Sequence, residues 1–103
     1  MVIFEYNSTE KAITVIFKGR IDYIAAGELN EIIQTEPLIK NRNPEDKIIF
    51  DIGEVEYIAS SFIRICVIHA KQAGSGKFSI INCQPFVKKT FKISGLDEML
   101  NIS

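Results

Sequence analysis

The sequence predicts an α/β fold: a single domain with a small mixed β-sheet and about four helices. Three observations lead there. A strand–helix–strand run extends from Lys47 to Asn82, two short alternating strands precede it, and no internal repeat or linker divides the chain. At 103 residues the chain suits one compact core and is too short for two ordinary ones, so residues 1–103 are read as one domain.

Val2–Tyr6 and Ala12–Lys18 read as strands, the second alternating Ile13, Val15 and Phe17 against Thr14, Ile16 and Lys18. The polar turn Asn7–Lys11 joins them as a hairpin. Ala25 to Thr35 follows as the first helix, with Ile24, Leu29, Ile32 and Ile33 near helical spacing and Pro37 just beyond its end. Lys40–Asp46 is a polar loop. Lys47–Asp51, with consecutive Ile48, Ile49 and Phe50, reads as a central strand covered on both faces. A short loop then leads to a helix from Ser60 or Ser61 to Ala73, ended by Gly74-Ser75-Gly76. With the next strand, Lys77–Asn82, this strand–helix–strand unit implies a parallel pair with a right-handed crossover. Pro85 opens a further amphipathic helix through Phe86, Val87, Thr90, Phe91 and Ile93, closed by Gly95, and Leu96–Leu100 reads as a final helical turn.

Composition narrows the function. The chain is 47% hydrophobic and 24% charged, with no apolar run near the ~18 residues of a membrane span, and its start lacks a basic-then-apolar leader. A cytoplasmic protein with no membrane insertion is expected. A net charge of −1 supplies no general attraction for nucleic acid, and Lys88, Lys89 and Lys92 make only a small basic side, read as solvated helix surface. Cys66 and Cys83 have neither metal-knuckle spacing nor disulfide density and are read as buried free thiols. A single histidine, His69, excludes a multi-histidine metal centre. It lies along the same helix more than about 10 Å from Ser60, beyond direct reach of that hydroxyl, and is read as a surface or boundary residue. Gly74-Ser75-Gly76-Lys77 fails as a phosphate-binding loop: the required upstream glycine and following Ser/Thr are replaced by Lys71 and Phe78, and it leads from helix to strand. Asp22 and Asp51 are assigned to a turn and a strand end.

The segment Asp51–Ile63 is the most informative. It runs from a strand into Ser60 and Ser61 at a helix start, where unpaired N–H groups and partial positive charge can accommodate a phosphate. A phosphoryl group would add roughly −1.5 to −2 charges and so alter docking. On this segment alone the ordinary reading is preferred, namely that one serine caps the helix. In the helix that follows, Phe62, Ile63, Cys66, Val67, Ala70 and Ala73 share one arc, with Arg64 and Lys71 opposite. Ile65 and Ile68 fall outside that arc, where at least one is expected to stand partly exposed beside the serines as partner surface.

Several separated features, in order, resemble the STAS family, the sulfate-transporter and anti-sigma-factor-antagonist domain. Gly19-Arg20-Ile21-Asp22 is similar to the family's Gly-x-Leu-Asp turn, and Asp51-Ile52-Gly53-Glu54-Val55-Glu56-Tyr57-Ile58 to its Asp-Leu-Ser-x-Val-x-Phe-Ile run. Gly76–Ile81, Val87 with Phe91, and Ser94-Gly95-Leu96 before Met99-Leu100 resemble the remaining strand and last helices. In that register Ala59-Ser60-Ser61-Phe62 falls where the family commonly has Asp-Ser-Ser-Gly. The regulated phosphoserine then corresponds to Ser60, ahead of Ser61. Ala59 removes a carboxylate beside the hydroxyl. Phe62 adds a ring that either blocks a partner or anchors one.

The resemblance implies a non-enzymatic anti-sigma factor antagonist, without metal or cofactor, that regulates sigma-dependent transcription by partner exchange. The unphosphorylated form would bind a serine-kinase anti-sigma factor through Asp22, Tyr57, Ala59, Ser60, Ser61, Phe62 and Ile65. Phosphorylation of Ser60 would weaken docking and a phosphatase would restore it. The alternative is a STAS module that is never phosphorylated, serving as a signalling scaffold or a transporter accessory subunit.

Overall fold

The computed structural model describes residues 1–103. Its elements in chain order are β1 (Val2–Asn7), β2 (Ala12–Ile21), α1 (Tyr23–Thr35), α2 (Pro37–Lys40), β3 (Lys47–Ile58), α3 (Ser60–Ala73), β4 (Phe78–Ile81) and α4 (Pro85–Ser94). The four strands form one mixed sheet in the order β1-β2-β3-β4, with the β1–β2 hairpin antiparallel and the other two pairings parallel. The expected hairpin and parallel crossover are both present. Among the differences, α2 covers Pro37–Ile39, to which the sequence pattern assigns no element, and Lys40, expected as loop, while Leu96–Leu100 forms a hydrogen-bonded turn, Leu100 N–H to Leu96 O at 3.0 Å, without becoming a helix. No helix is long and apolar enough to cross a membrane.

Strand alternation explains where the core lies. Val2, Phe4, Ile13, Val15, Phe17, Ile48, Phe50, Phe78 and Ile80 share one face by register, and the helices pack there. On the other face Ile3, Ile16, Asp51 and Ile81 form one row and Glu5, Thr14, Ile49 and Ser79 the next, all exposed or half-buried. Ile49 is therefore only half covered, so β3 is central without being enclosed on both faces. The core holds Phe17, Phe50, Phe62 and Phe78, with Phe50 edge-on to Phe17 and to Phe78 at 4.9 Å in each case and Phe17 edge-on to Phe62 at 5.2 Å.

β3 is seven residues longer than Lys47–Asp51, and its length has a cause. Two bulges lie on it: Ile16 and Lys18 of β2 oppose Asp51 and Glu54, and Gly19 and Arg20 oppose Val55 and Tyr57. Each adds one residue to β3, so the buried positions step Ile48, Phe50, Ile52, then Val55, then Ile58. Simple alternation fails after Ile52, which is why this stretch reads as loop in the sequence. Gly53 sits at the first bulge, where an added Cβ would lie 3.1 Å from Asn82 Cβ. Asp51 Oδ1 accepts from Gly53 N–H at 3.0 Å and Asn82 Nδ2 at 3.2 Å, while Gln84 Nε2 donates to Gly53 O at 2.9 Å. Asp51 is thus a structural tie at the bulge.

Helix burial follows the expected stripes with exceptions. In α1, Ala26, Leu29 and Ile33 are buried, whereas Ile24 and Ile32 are exposed. In α4, Val87 and Phe91 are buried while Phe86 and Ile93 face out, and Gly95 closes the helix in the left-handed conformation as expected. Both cysteines are free, but only Cys66 is buried as expected; Cys83, just past the end of β4, is partly exposed.

His69 departs from its expected surface position. It is 1% exposed, its ring centroid lies 5.8 Å from that of Phe50, and neither ring nitrogen has a hydrogen-bond partner. Burial pushes its pKa below the ordinary 6.5. The unfolded chain therefore takes up a proton first, so stability falls as pH drops below 6.5 until the folded-state histidine also titrates. The melting temperature should decline from pH 7.5 to 5.5, and His69→Leu should flatten that decline. An unchanged slope in the variant would refute the assignment. Separately, Phe62→Ala should cost about 3–5 kcal/mol in denaturant unfolding, as expected for emptying a filled aromatic core site.

Candidate docking site at the carboxyl end of the parallel strands

The site is built where β2 and β3 end side by side. Arg20 pairs with Tyr57 and Ile21 with Ile58, and Ala59 N–H donates to Ile21 O at 2.8 Å. Each strand then turns directly into a helix, so the N-termini of α1 and α3 open at the same end of the sheet. Asp22 is the N-cap of α1, its Oδ1 accepting from Ala25 N–H at 2.8 Å. That bond assigns Asp22 a structural role while leaving the residue exposed beside the start of α3.

Neither serine caps α3. The N-cap is Ala59, in extended conformation and without a side-chain cap, and Phe62 N–H donates to Ala59 O at 3.0 Å. Ser60 is the first helical residue, exposed, with a hydroxyl that no protein hydrogen bond engages; Ser61 Oγ is buried without a partner. The capping reading is therefore corrected. Two serines adjacent in sequence stand in opposite situations, because a helix turns about 100° per residue and carries Ser61 toward the interior.

Phe62 and Ile65, expected at the docking surface, are buried at 0% and 6% exposure. Phe62 reaches the ring cluster through Phe17, and Ile65 belongs to the main hydrophobic core. In this conformation both support the surface from beneath. Ile68, at 40% exposure, is the member of the Ile65/Ile68 pair that stands out. Tyr57, Ala59, Ser60 and Asp22 remain accessible or partly so.

The structure adds residues that sequence reasoning missed. Tyr23 and Ile24, in the first turn of α1, are 77% and 71% exposed. They present an apolar pair at the start of α1, at the same end of the sheet as Ser60. The Arg20 guanidinium lies 4.6 Å from the centroid of the Tyr57 ring, a cation–π contact that holds the ring at the strand end. Arg64, one turn beyond Ser60, is exposed, and the first turn of α3 carries no acidic residue. The available signal was an apolar pair directly after a helix cap, where a core-facing stripe does not require one. No three His, Cys, Asp or Glu side chains cluster to hold a metal ion.

Known proteins bear the same fold. A Bordetella bronchiseptica protein named "Putative anti-sigma factor antagonist BtrV" is 32% identical over 53 residues, a match that spans 50% of this chain and only 46% of that protein. The crystal structure of an anti-sigma factor antagonist from Mycobacterium paratuberculosis superposes with a TM-score of 0.82 at 19% identity, covering 99% of this chain and 83% of the other. The Bacillus cell fate determinant SpoIIAA in its phosphorylated form gives 0.67 at 19% identity, over 100% of this chain and 91% of that one. At such identities the superpositions establish the fold alone. Residues 4–103 match the STAS domain family, and with nearly the whole chain inside that match, this protein belongs to the STAS domain family.

Proposed function

We propose that this chain is an anti-sigma factor antagonist: a non-enzymatic docking module switched by phosphorylation of Ser60. The observation that carries the reading is the placement of Ser60, exposed and unbonded at the first position of α3, at the same end of the sheet as the exposed Tyr23, Ile24 and Tyr57. A hydroxyl free of competing hydrogen bonds can enter a kinase site without breaking the fold, and apolar neighbours supply area for a partner. The names of its relatives support the same class.

The partner is a serine-kinase anti-sigma factor, which also supplies the ATP. The unmodified chain docks through Asp22, Tyr57, Ala59 and Ser60, with Tyr23, Ile24 and Ile68 extending the surface, and releases a sigma factor. A phosphate on Ser60 places charge among desolvated contacts and weakens docking. The helix start and Arg64 moderate its cost in the free protein. A phosphatase then resets the switch. These partners place the chain in the cytoplasm.

Ala59 favours a second reading. It has no carboxylate to orient the Ser60 hydroxyl, which suits a STAS interaction module that is never phosphorylated and serves a signalling scaffold or a transporter. Phe62 no longer bears on the choice, since its ring lies in the core.

Two measurements separate the readings. Peptide mass spectrometry of protein from its native cells should find a condition-dependent phosphate on Ser60 and none on Ser61. In binding assays with the captured anti-sigma factor, Ser60→Asp should weaken affinity roughly tenfold or more, about 1.4 kcal/mol, while Ser60→Ala stays near the parent value. Equal affinities for the two variants would exclude the switch, and persistent absence of phosphate would favour the constitutive module.

A further inference from the structure

The two edges of the sheet are treated differently. Beside β4, the C-terminal residues close the edge: Ser103 N–H donates to Ile80 O at 2.9 Å and Ile80 N–H to Asn101 O at 3.2 Å. Beside β1 there is no strand, because β1 is terminal in the sheet order. Nor does β1 carry the usual protections of an exposed edge. Val2–Asn7 contains no Pro, Lys or Gly, its pairing with β2 has no bulge, and Glu5 is its one charge.

Register decides which groups are left over. Lys18 N–H donates to Met1 O at 3.1 Å, which makes Met1–Lys18 a hydrogen-bonded pair of the antiparallel ladder. By alternation the pairs at Ile3, Glu5 and Asn7 also bond to β2, so the N–H and C=O groups of Val2, Phe4 and Tyr6 point to the free side. These three residues are symmetric about Phe4. A second β1 strand, antiparallel and centred on Phe4, would satisfy all of them in the register Val2 to Tyr6, Phe4 to Phe4 and Tyr6 to Val2. On the open face the same register sets Ile3 opposite Glu5 of the other copy, so like charges do not meet directly. Ile3 and Ile16 lie on the open face of the edge, and on the helix side is a recess of about 190 Å³ whose lining is apolar at Met1, Val2, Leu29 and Ile32 and charged at Lys18, Arg20 and Glu28.

We propose that β1 is a homodimerisation edge, which joins two copies through antiparallel β1–β1 pairing centred on Phe4 into one eight-stranded sheet. The occupant is a second copy because the unpaired groups are self-complementary, which is the requirement of a two-fold interface. The surface lies on the opposite side of β2 from β3, so pairing there adds a strand without disturbing the existing ladders.

The test is sedimentation equilibrium of the full chain over about a hundredfold range of concentration, with a charge exchange that reads the register. The parent should show a concentration-dependent dimer. Ile3→Glu, which sets two glutamates opposite each other at each end of the seam, should weaken dimerisation at least about tenfold. Ile3→Glu combined with Glu5→Lys should restore it by placing opposite charges in the same pairs. Circular dichroism and melting of each variant establish that the monomer is folded. A parent that stays monomeric throughout, or a folded double variant that dimerises no better than Ile3→Glu, would overturn the proposal.

Discussion

The parallel pairing of β2 with β3 is the constraint on which the rest of this molecule depends. It places Phe17 beside Phe50, brings Ile21 level with Ile58, and makes the two strands end together. Because α1 and α3 each begin within two residues of those ends, their N-termini have little freedom to separate. The proposed docking site, made from two remote parts of the chain, thus inherits its geometry from a ladder of backbone hydrogen bonds and a shared aromatic core. Ala59 N–H bonded to Ile21 O is the last rung of that arrangement.

The bulges of β3 link this scaffold to the site. A regular strand of the same length would alternate its side chains, and burying Ile48, Phe50 and Ile52 would then direct Val55 outward. The first extra residue turns Val55 inward and the second keeps Ile58 inward as well, while Glu56 and Tyr57 remain outside. Tyr57 is consequently presented next to Ser60, and its ring is held by Arg20 from the neighbouring strand. Gly53, Asp51, Asn82 and Gln84 maintain the first bulge through side-chain bonds to the backbone and to one another. Residues distant from the proposed phosphorylation site therefore determine how the surface around it is shaped.

The helix start shows how local rules and tertiary packing divide the work. Ser is a favoured N-cap, yet Ala59 occupies that position here, because β3 continues to Ile58 and α3 begins immediately after one connecting residue. The serines are carried into the helix, where one hydroxyl faces outward and the other is enclosed. Phe62 follows the same logic. Its ring completes the cluster with Phe17 and Phe50. Phe62 therefore belongs to the core beneath the proposed docking surface and leaves that surface unobstructed.

The sequence by itself determined the α/β class, the hairpin, the β3–α3–β4 crossover and the location of the candidate switch at a strand-to-helix junction. Periodicity, glycine and proline positions and a family-like order of motifs are local signals, and those features depend mainly on local preference. Only the tertiary structure decided that β3 runs to Ile58, since bulges break the two-residue period from which strands are read. Packing also decided that Ile65, Phe62 and His69 are inside, and that Tyr23 and Ile24 are outside. A helical wheel assigns angles without knowing which neighbours cover them. The burial of α3 on two flanks, by the sheet and by α1, is a property of the assembled layers and could not be read from the helix alone.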